Sequence, residues 1–153
     1  MYSTLDNIQE LQTIEVLLQL SDDNNEGQFV ISPTPNAAYG IVVDAINAAD
    51  VIINSYLSGR YTVPIPMPVP PLVVQISANF ALCNLYERRR ELDVPEGITV
   101  RRRRFTDLLK DIKTGTASIP ELETSPVNIA PAPFLVTRSS ADQVFSDDLL
   151  SML

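Results

Sequence analysis

Apolar residues recur at helical spacing in several stretches of the chain, and the longest stretch covers residues 36–58. Its apolar side chains follow one another at intervals of three or four residues: Tyr39, Val42, Ile46, Ala49, Ile53 and Tyr56. Such spacing is typical of an amphipathic α-helix with one buried face. A second stripe of partly small side chains indicates contacts on two sides of the helix: Ile41, Ala45, Ala48 and Ile52. Gly59 follows as the expected C-terminal cap.

Four more helices are predicted by shorter stretches of the same pattern. Two short ones near the N-terminus begin after Ser3 or Thr4 and after Thr13, whose side chains can cap a helix. Pro71 opens a longer helix at a first-turn position. Its expected buried side consists of Leu72, Ile76, Phe80, Cys83 and Leu85 or Tyr86. The last helix lies between Pro95 and Gly115, and its apolar stripe consists of Ile98, Phe105, Leu108, Leu109 and Ile112. The pattern predicts an all-α fold, a compact bundle of about four to five helices.

A proline-rich segment separates the two longest predicted helices. It contains Pro64, Pro66, Pro68, Pro70 and Pro71. Proline fixes φ and biases the residue before it away from the helical region, so residues 64–70 are predicted to form an extended polyproline II strut. The interleaved residues are apolar: Val63, Ile65, Met67 and Val69. We therefore expect the strut to lie across the helices. A docking peptide for an SH3-like partner is the alternative.

Two segments lack helical periodicity. Residues 21–36 have turn chemistry, and the acidic run beginning at Asp22 is expected to be a solvated turn rather than a calcium site, because it lacks the ligand spacing of an EF-hand. Residues 120–153 contain four prolines and many small polar residues. We predict a helical domain over 1–119 and an extended C-terminal arm over 120–153. The apolar residues near the end of the arm are expected to order on a partner: Phe145, Leu149, Leu150 and Leu153.

Composition narrows the chemistry that is open to the chain. It has 153 residues, of which 45% are hydrophobic, enough for one core. It contains no histidine and a single cysteine, Cys83. Zinc sites, disulfides and histidine-dependent catalysis are therefore not expected. We expect a protein that is not an enzyme and holds no cofactor or metal. No apolar run approaches the length of a membrane span, and no signal peptide is evident, so no membrane contact is expected.

Charge is distributed unevenly along the chain. The net charge is −8, yet nine of the eleven basic residues lie between residues 86 and 113. Residues 1–85 carry eight acids and one base, Arg60. A basic band therefore lies inside an acidic protein.

Four consecutive arginines dominate this band: Arg101, Arg102, Arg103 and Arg104. They turn through about 300° on a helix, so they cannot form one flat patch. Arg103 is expected to face solvent, and the others to lie near the edge of the core. Ion pairs to Asp107 and Asp111 are the first interpretation. A contact with acids on a neighbouring subunit is the second. Weak DNA contact is the third, and it extends to Arg88, Arg89 and Arg90.

Three residues around the end of the long helix are assigned structural roles. Arg60 is expected to interact with the free carbonyls at the end of that helix, or with the proline strut. Tyr56 and Tyr61 are expected to pack in the core or on the strut.

Several blocks of sequence resemble a known family. They read YSTL at the start, INSYLSGRYTVP with prolines running into PPLV, RRRRFTDLLKDIKTGTASIP, and a terminal VFSDDLL. In these blocks the chain resembles the phage Mu-type family of small head-tail connector, or neck, proteins. The loop over residues 21–35 and the run of four arginines depart from the family's usual pattern.

The resemblance implies a structural adaptor of a phage or prophage. Copies of the chain would form a ring at the portal vertex and contact the portal and the neck or tail proteins. DNA would pass through the channel and be bound weakly at most. The protein would be found in the virion neck, and in the bacterial cytoplasm during assembly. The alternative from another class is a small acidic nucleic-acid-associated or regulatory protein of a phage.

Overall fold

Five α-helices and one 3₁₀ turn make up the part of the chain that the computed structural model describes, residues 1–31, 34–89 and 91–123. The elements are α1 (Leu5–Gln9), α2 (Ile14–Ser21), α3 (Ala37–Leu57), α4 (Pro71–Arg88), α5 (Glu96–Thr114) and the 3₁₀ turn Pro120–Leu122. No strand occurs in these ranges, and the predicted all-α fold is confirmed. The compact unit extends from Met1 to Glu123. Most of the predicted arm, including Phe145, Leu149 and Leu150, lies outside the described residues.

The helices begin and end where local chemistry allows it. The side chain of Asn36 accepts a hydrogen bond from the Tyr39 backbone N–H, 3.1 Å away, at the start of α3. Gly115 ends α5 in the left-handed region, at φ 88°. Gly59 does not form the predicted glycine cap, which needs a left-handed residue, because it is not among the described residues with positive φ. The end of α3 is instead a tight turn, in which the N–H groups of residues 60 and 61 both donate to the Leu57 carbonyl.

α4 lies at the centre of the bundle and packs against α1, α2, α3 and α5. Its buried residues point in all directions: Val73, Ile76, Ser77, Ala78, Phe80, Ala81, Leu82, Cys83 and Leu85. The prediction of a single buried side was therefore incomplete, and Leu72 is only half-buried. A helix surrounded by other helices needs no polar face, so its sequence has no strong periodicity that would reveal its neighbours.

α3 is both a core helix and the most apolar long helix. Its length of 21 residues and mean hydropathy of 1.3 are sufficient for a membrane-crossing helix. Length and composition alone therefore do not exclude a span here, contrary to the sequence-based expectation. In the described structure α3 buries Val42, Ile46, Ile53 and Leu57 against the rest of the bundle. A core helix of a globular protein passes the same test of composition.

The proline-rich segment lies on the core but is not one continuous polyproline II helix. The chain bends at residues 63–64 and 67–68, and the Val63–Pro64 and Met67–Pro68 peptide bonds are cis. Ile65 is buried, and its backbone N–H donates to the hydroxyl of Tyr2 at 2.8 Å. Val63 and Val69 pack partly against the core. Met67 is 84% exposed, so its predicted contact with the helices is wrong. Pro64, Pro66, Pro68 and Pro71 are exposed, whereas Pro70 is buried.

A buried polar cluster that the sequence pattern did not reveal ties α3 to α4 and to the N-terminal segment. The carboxylate of Asp50 accepts hydrogen bonds from the backbone N–H of Tyr2 at 2.8 Å and from the hydroxyl of Ser77 at 2.7 Å. Ser77 also contacts Ser3, hydroxyl to hydroxyl, at 2.8 Å. Each of these groups has a partner, as buried polar groups require.

Candidate interaction surfaces

Arg102 points towards the core rather than into the solvent. Its guanidinium donates to Glu87 at 3.0 Å and lies 5.7 Å from the centre of the Phe80 ring. It therefore joins α5 to α4 with a charge pair and a cation–π contact. The predicted ion pair between the arginine run and Asp107 is wrong, because Asp107 pairs with Lys110 at 2.9 Å.

The other three arginines of the run lie towards the outside of α5. Arg101 is half-buried and donates to the Gly97 carbonyl of its own helix at 3.2 Å. Arg103 and Arg104 are exposed, as predicted for Arg103. Neither makes a hydrogen bond or an ion pair with another described residue. Val100, one turn before Arg104, is 48% exposed. Val100, Arg103 and Arg104 lie within about 100° of one another around α5 and are called the basic surface below.

Arg88 and Arg89 are engaged inside the domain. Both form ion pairs with Asp23, and the Arg89 pair is 2.7 Å long. Both also donate to the Leu20 carbonyl near the end of α2, Arg88 at 3.1 Å. The hydrogen bond from Arg88, aided by the charges of both arginines, lowers the pKa of Asp23. The contact closes the end of α2 onto the end of α4.

The acidic run after α2 is a structured turn. The carboxylate of Asp22 accepts hydrogen bonds from the backbone N–H groups of Gly27 at 2.6 Å and Glu26 at 3.0 Å. These bonds lower the pKa of Asp22. The neighbouring Asp23 is paired with arginines. Both carboxylates thus have structural partners. Within the described ranges, no group of three acidic, cysteine or histidine residues is placed to hold a metal ion.

Arg60 caps a different helix from the one predicted. Its guanidinium donates to the carbonyls of Ile112 at 3.0 Å and Ala117 at 2.9 Å, which lie at and beyond the end of α5. The hydroxyl of Tyr61 accepts a hydrogen bond from the Ile119 N–H at 3.0 Å. Tyr56 is half-buried, and the Lys113 ammonium lies 5.9 Å from the centre of the Tyr56 ring. The connection after α3 therefore holds the segment after α5.

The N-terminal side of the domain carries the opposite charge. Residues 1–59 contain eight acids and no basic residue. Asp6 is exposed on α1, Glu10 is exposed directly after α1, and exposed Glu15 follows on α2. These three residues, Asp6, Glu10 and Glu15, are called the acidic surface below. Glu10 also lines a groove of about 680 Å³ between α1 and α4.

Apolar and polar residues both line the α1–α4 groove. Its apolar lining residues are Leu11, Val69, Pro71, Leu72, Val74 and Ala78. Its polar lining residues are Asn7, Glu10, Gln75 and Asn79. Sequence reasoning did not identify this groove, because its two walls come from helices about 60 residues apart in the chain. Apart from Glu10, its walls carry no charged residue.

The acidic and basic surfaces lie on different sides of the bundle. α1 packs on α4, α2 packs on α3 and α4, and α5 also packs on α3 and α4. Through Arg102, α5 contacts Phe80 and Glu87 of α4, whereas the α1–α4 groove is lined by Gln75 and Ala78, which lie more than about 100° away around α4. Among the described residues, no ion pair joins the acidic surface to the basic surface.

Comparison with known proteins gives one family. No curated protein matches the chain. The family described as Bacteriophage Mu, Gp36 matches residues 2–136, nearly the whole described domain and part of the segment beyond it. The predicted resemblance to a phage Mu-type family is thereby confirmed. The chain belongs to the Bacteriophage Mu Gp36 family.

Proposed function

We propose that the chain is a structural, non-enzymatic head-tail connector of a Mu-like phage or prophage. Copies of it would form a ring at the portal vertex and contact the portal and the neck or tail proteins. It would act in the virion neck and be present in the bacterial cytoplasm during assembly. Family membership supports the assignment to a phage, and the connector role is what we propose in addition.

One observation carries the proposal: a small helical domain of a phage family exposes opposite charges on different sides. Arg60, Arg88 and Arg102 are used in contacts within the domain. The basic surface and the acidic surface are instead available to other molecules. Surfaces of this kind select and orient partners. An adaptor needs at least two such surfaces, because it holds different neighbours at the same time.

Deleting the gene from an inducible Mu-like phage tests the proposal. We expect filled heads and free tails that do not join, seen by electron microscopy of the lysate. Adding the purified protein to the lysate should restore joined particles. The variant Asp44→Ala, which changes one exposed residue of α3 outside both charged surfaces, should restore joining equally well. Normal numbers of joined particles without the gene would refute the connector role.

The exposed Arg103 and Arg104 also favour a second candidate, a nucleic-acid-associated or regulatory protein. The net charge of −8 opposes this, because the long-range field of the protein repels phosphate. A salt titration of duplex DNA binding separates the candidates. The connector proposal predicts weak or undetectable binding at physiological salt. Affinity tighter than micromolar that falls steeply with salt would favour the second candidate.

A further inference from the structure

We infer that the basic surface on α5 of one copy binds the acidic surface and the α1–α4 groove of a second copy. This inference deepens the proposed function, since it names the contact by which the ring would be built. It depends on three observations: the free arginines, the composition of the groove, and the placement of the two surfaces.

The free arginines define one half of the contact. Arg103 and Arg104 form no ion pair with a described residue, although Asp107 lies within one turn of both and is influenced by the charge of Arg103. Asp107 is already bound to Lys110. The exposed Val100 lies beside them on the helix and adds an apolar centre. A helix face with an apolar residue and two exposed guanidinium groups suits a groove that is lined by apolar residues and has acids beside it.

The α1–α4 groove has these properties. Its lining includes Leu11, Leu72 and Val74, and Glu10 lines it as well. Asp6 of α1 lies four residues before Glu10 and is also exposed. The two acids can meet the two arginines of another copy. Charge complementarity thus identifies the occupant as a second copy of this chain, rather than an acidic partner such as DNA.

The placement of the surfaces determines the form of the assembly. The basic surface and the groove are different parts of the same molecule, on helices that do not pack extensively on each other. A pair of copies therefore keeps one free surface of each kind, the basic surface on one copy and the acidic surface on the other. Such head-to-tail contacts continue in one direction and generate a ring when the rotation closes.

Charge reversal provides a direct test on the isolated protein. One variant carries Arg103→Glu and Arg104→Glu, and the other carries Asp6→Lys and Glu10→Lys. All four positions are exposed, so both variants should keep the helical circular dichroism of the parent. Self-association is measured by sedimentation velocity at low ionic strength, up to millimolar concentration. Each variant alone should associate at least about tenfold more weakly than the parent, because like charges then face each other.

An equimolar mixture of the two variants should recover the association of the parent protein. In the mixture, the new glutamates on α5 of one variant meet the new lysines at positions 6 and 10 of the other. The unchanged arginines and the unchanged acids meet in the same way, so every contact between the two variants joins opposite charges. The matched control adds Asp44→Lys, an exposed change on α3 outside both surfaces, to the arginine variant itself, and should recover nothing. Recovery with this control as well would show a nonspecific effect of net charge and overturn the inference.

Other results overturn the inference without touching the connector role. The inference is overturned if the parent protein stays monomeric at millimolar concentration and low ionic strength. It is also overturned if reversing the arginines abolishes portal or DNA binding but leaves self-association unchanged. Conversely, recovery in the mixture together with normal virions in the gene deletion would refute the connector role and leave the contact standing.

Discussion

The buried carboxylate of Asp50 gives the most specific stability prediction. Asp50 is 8% exposed, and it accepts hydrogen bonds from the Tyr2 backbone N–H and the Ser77 hydroxyl. Replacing it with alanine removes both acceptors. The Tyr2 N–H then has no partner in this cluster, and a buried unpaired donor costs about 1–3 kcal/mol. The Ser77 hydroxyl retains Ser3, so its loss is smaller, about 1 kcal/mol.

A matched control separates this effect from helix propensity. Alanine favours a helix interior over aspartate by roughly 0.5 kcal/mol, which offsets part of the loss. Asp44→Ala has the same propensity gain on the same helix at an exposed position. We expect Asp50→Ala to lower the free energy of unfolding by about 2–3 kcal/mol, and Asp44→Ala to change it by about 0.5 kcal/mol or less.

Urea denaturation followed by circular dichroism measures both variants. Asp50→Asn keeps the shape of the side chain and one acceptor oxygen, so its loss should lie between the two alanine variants. If Asp50→Ala and Asp44→Ala differ by less than about 0.5 kcal/mol, the cluster does not stabilise the fold and the reasoning is refuted.

Three further predictions concern the contacts at the helix ends and the single thiol. Arg60→Ala should lower the free energy of unfolding by about 1–2 kcal/mol and speed amide hydrogen exchange over residues 117–119, while Arg103→Ala should change neither. The lowered pKa of Asp23 means that its ion pairs stabilise the fold above the usual aspartate pKa and are lost as pH falls through the lowered value. The stability gap between the parent and Asp23→Asn, measured by urea denaturation at several pH values, should therefore shrink in acid; an unchanged gap would contradict the assignment. Burial raises the pKa of the Cys83 thiol, so a thiol reagent at neutral pH should react slowly with the folded protein and rapidly in urea; equal rates would place the thiol at the surface.

The helices were predictable from the sequence because their signals are local. The periodic apolar residues of α3 lie on one helix face, and Asn36 caps its first turn. Pro71 begins α4, and Gly115 ends α5. Each of these signals depends on residues within a few positions of one another. Local chemistry is therefore sufficient to place these helix ends, whereas the predicted glycine cap after α3 did not form.

The partners of the arginines were not predictable, because each contact joins distant parts of the chain. The acid nearest in sequence to the arginine run, Asp107, pairs with Lys110, whereas Arg102 reaches Glu87 on α4. Arg60 donates to carbonyls more than 50 residues away. An arginine side chain is long enough to reach several neighbours, so its partner is decided by how the helices pack.

The regular geometry predicted for the proline-rich segment also failed, for a related reason. Restricted φ angles predict extended backbone, but they do not set the direction in which the chain turns between prolines. The buried Ile65 and its bond to Tyr2 hold the segment against the helices. The two ends of the segment are fixed by α3 and α4. Tertiary packing therefore decides the path between them.

The contacts of Arg60 and Tyr61 bear on how the domain would respond to mechanical force. They attach the segment just after α5 to the residues that follow α3. Tension applied to the chain at Glu123 would therefore act on both helices together, and three hydrogen bonds would have to break before α5 could unravel from its end. We expect this arrangement to resist pulling better than a helix end held only by its own backbone.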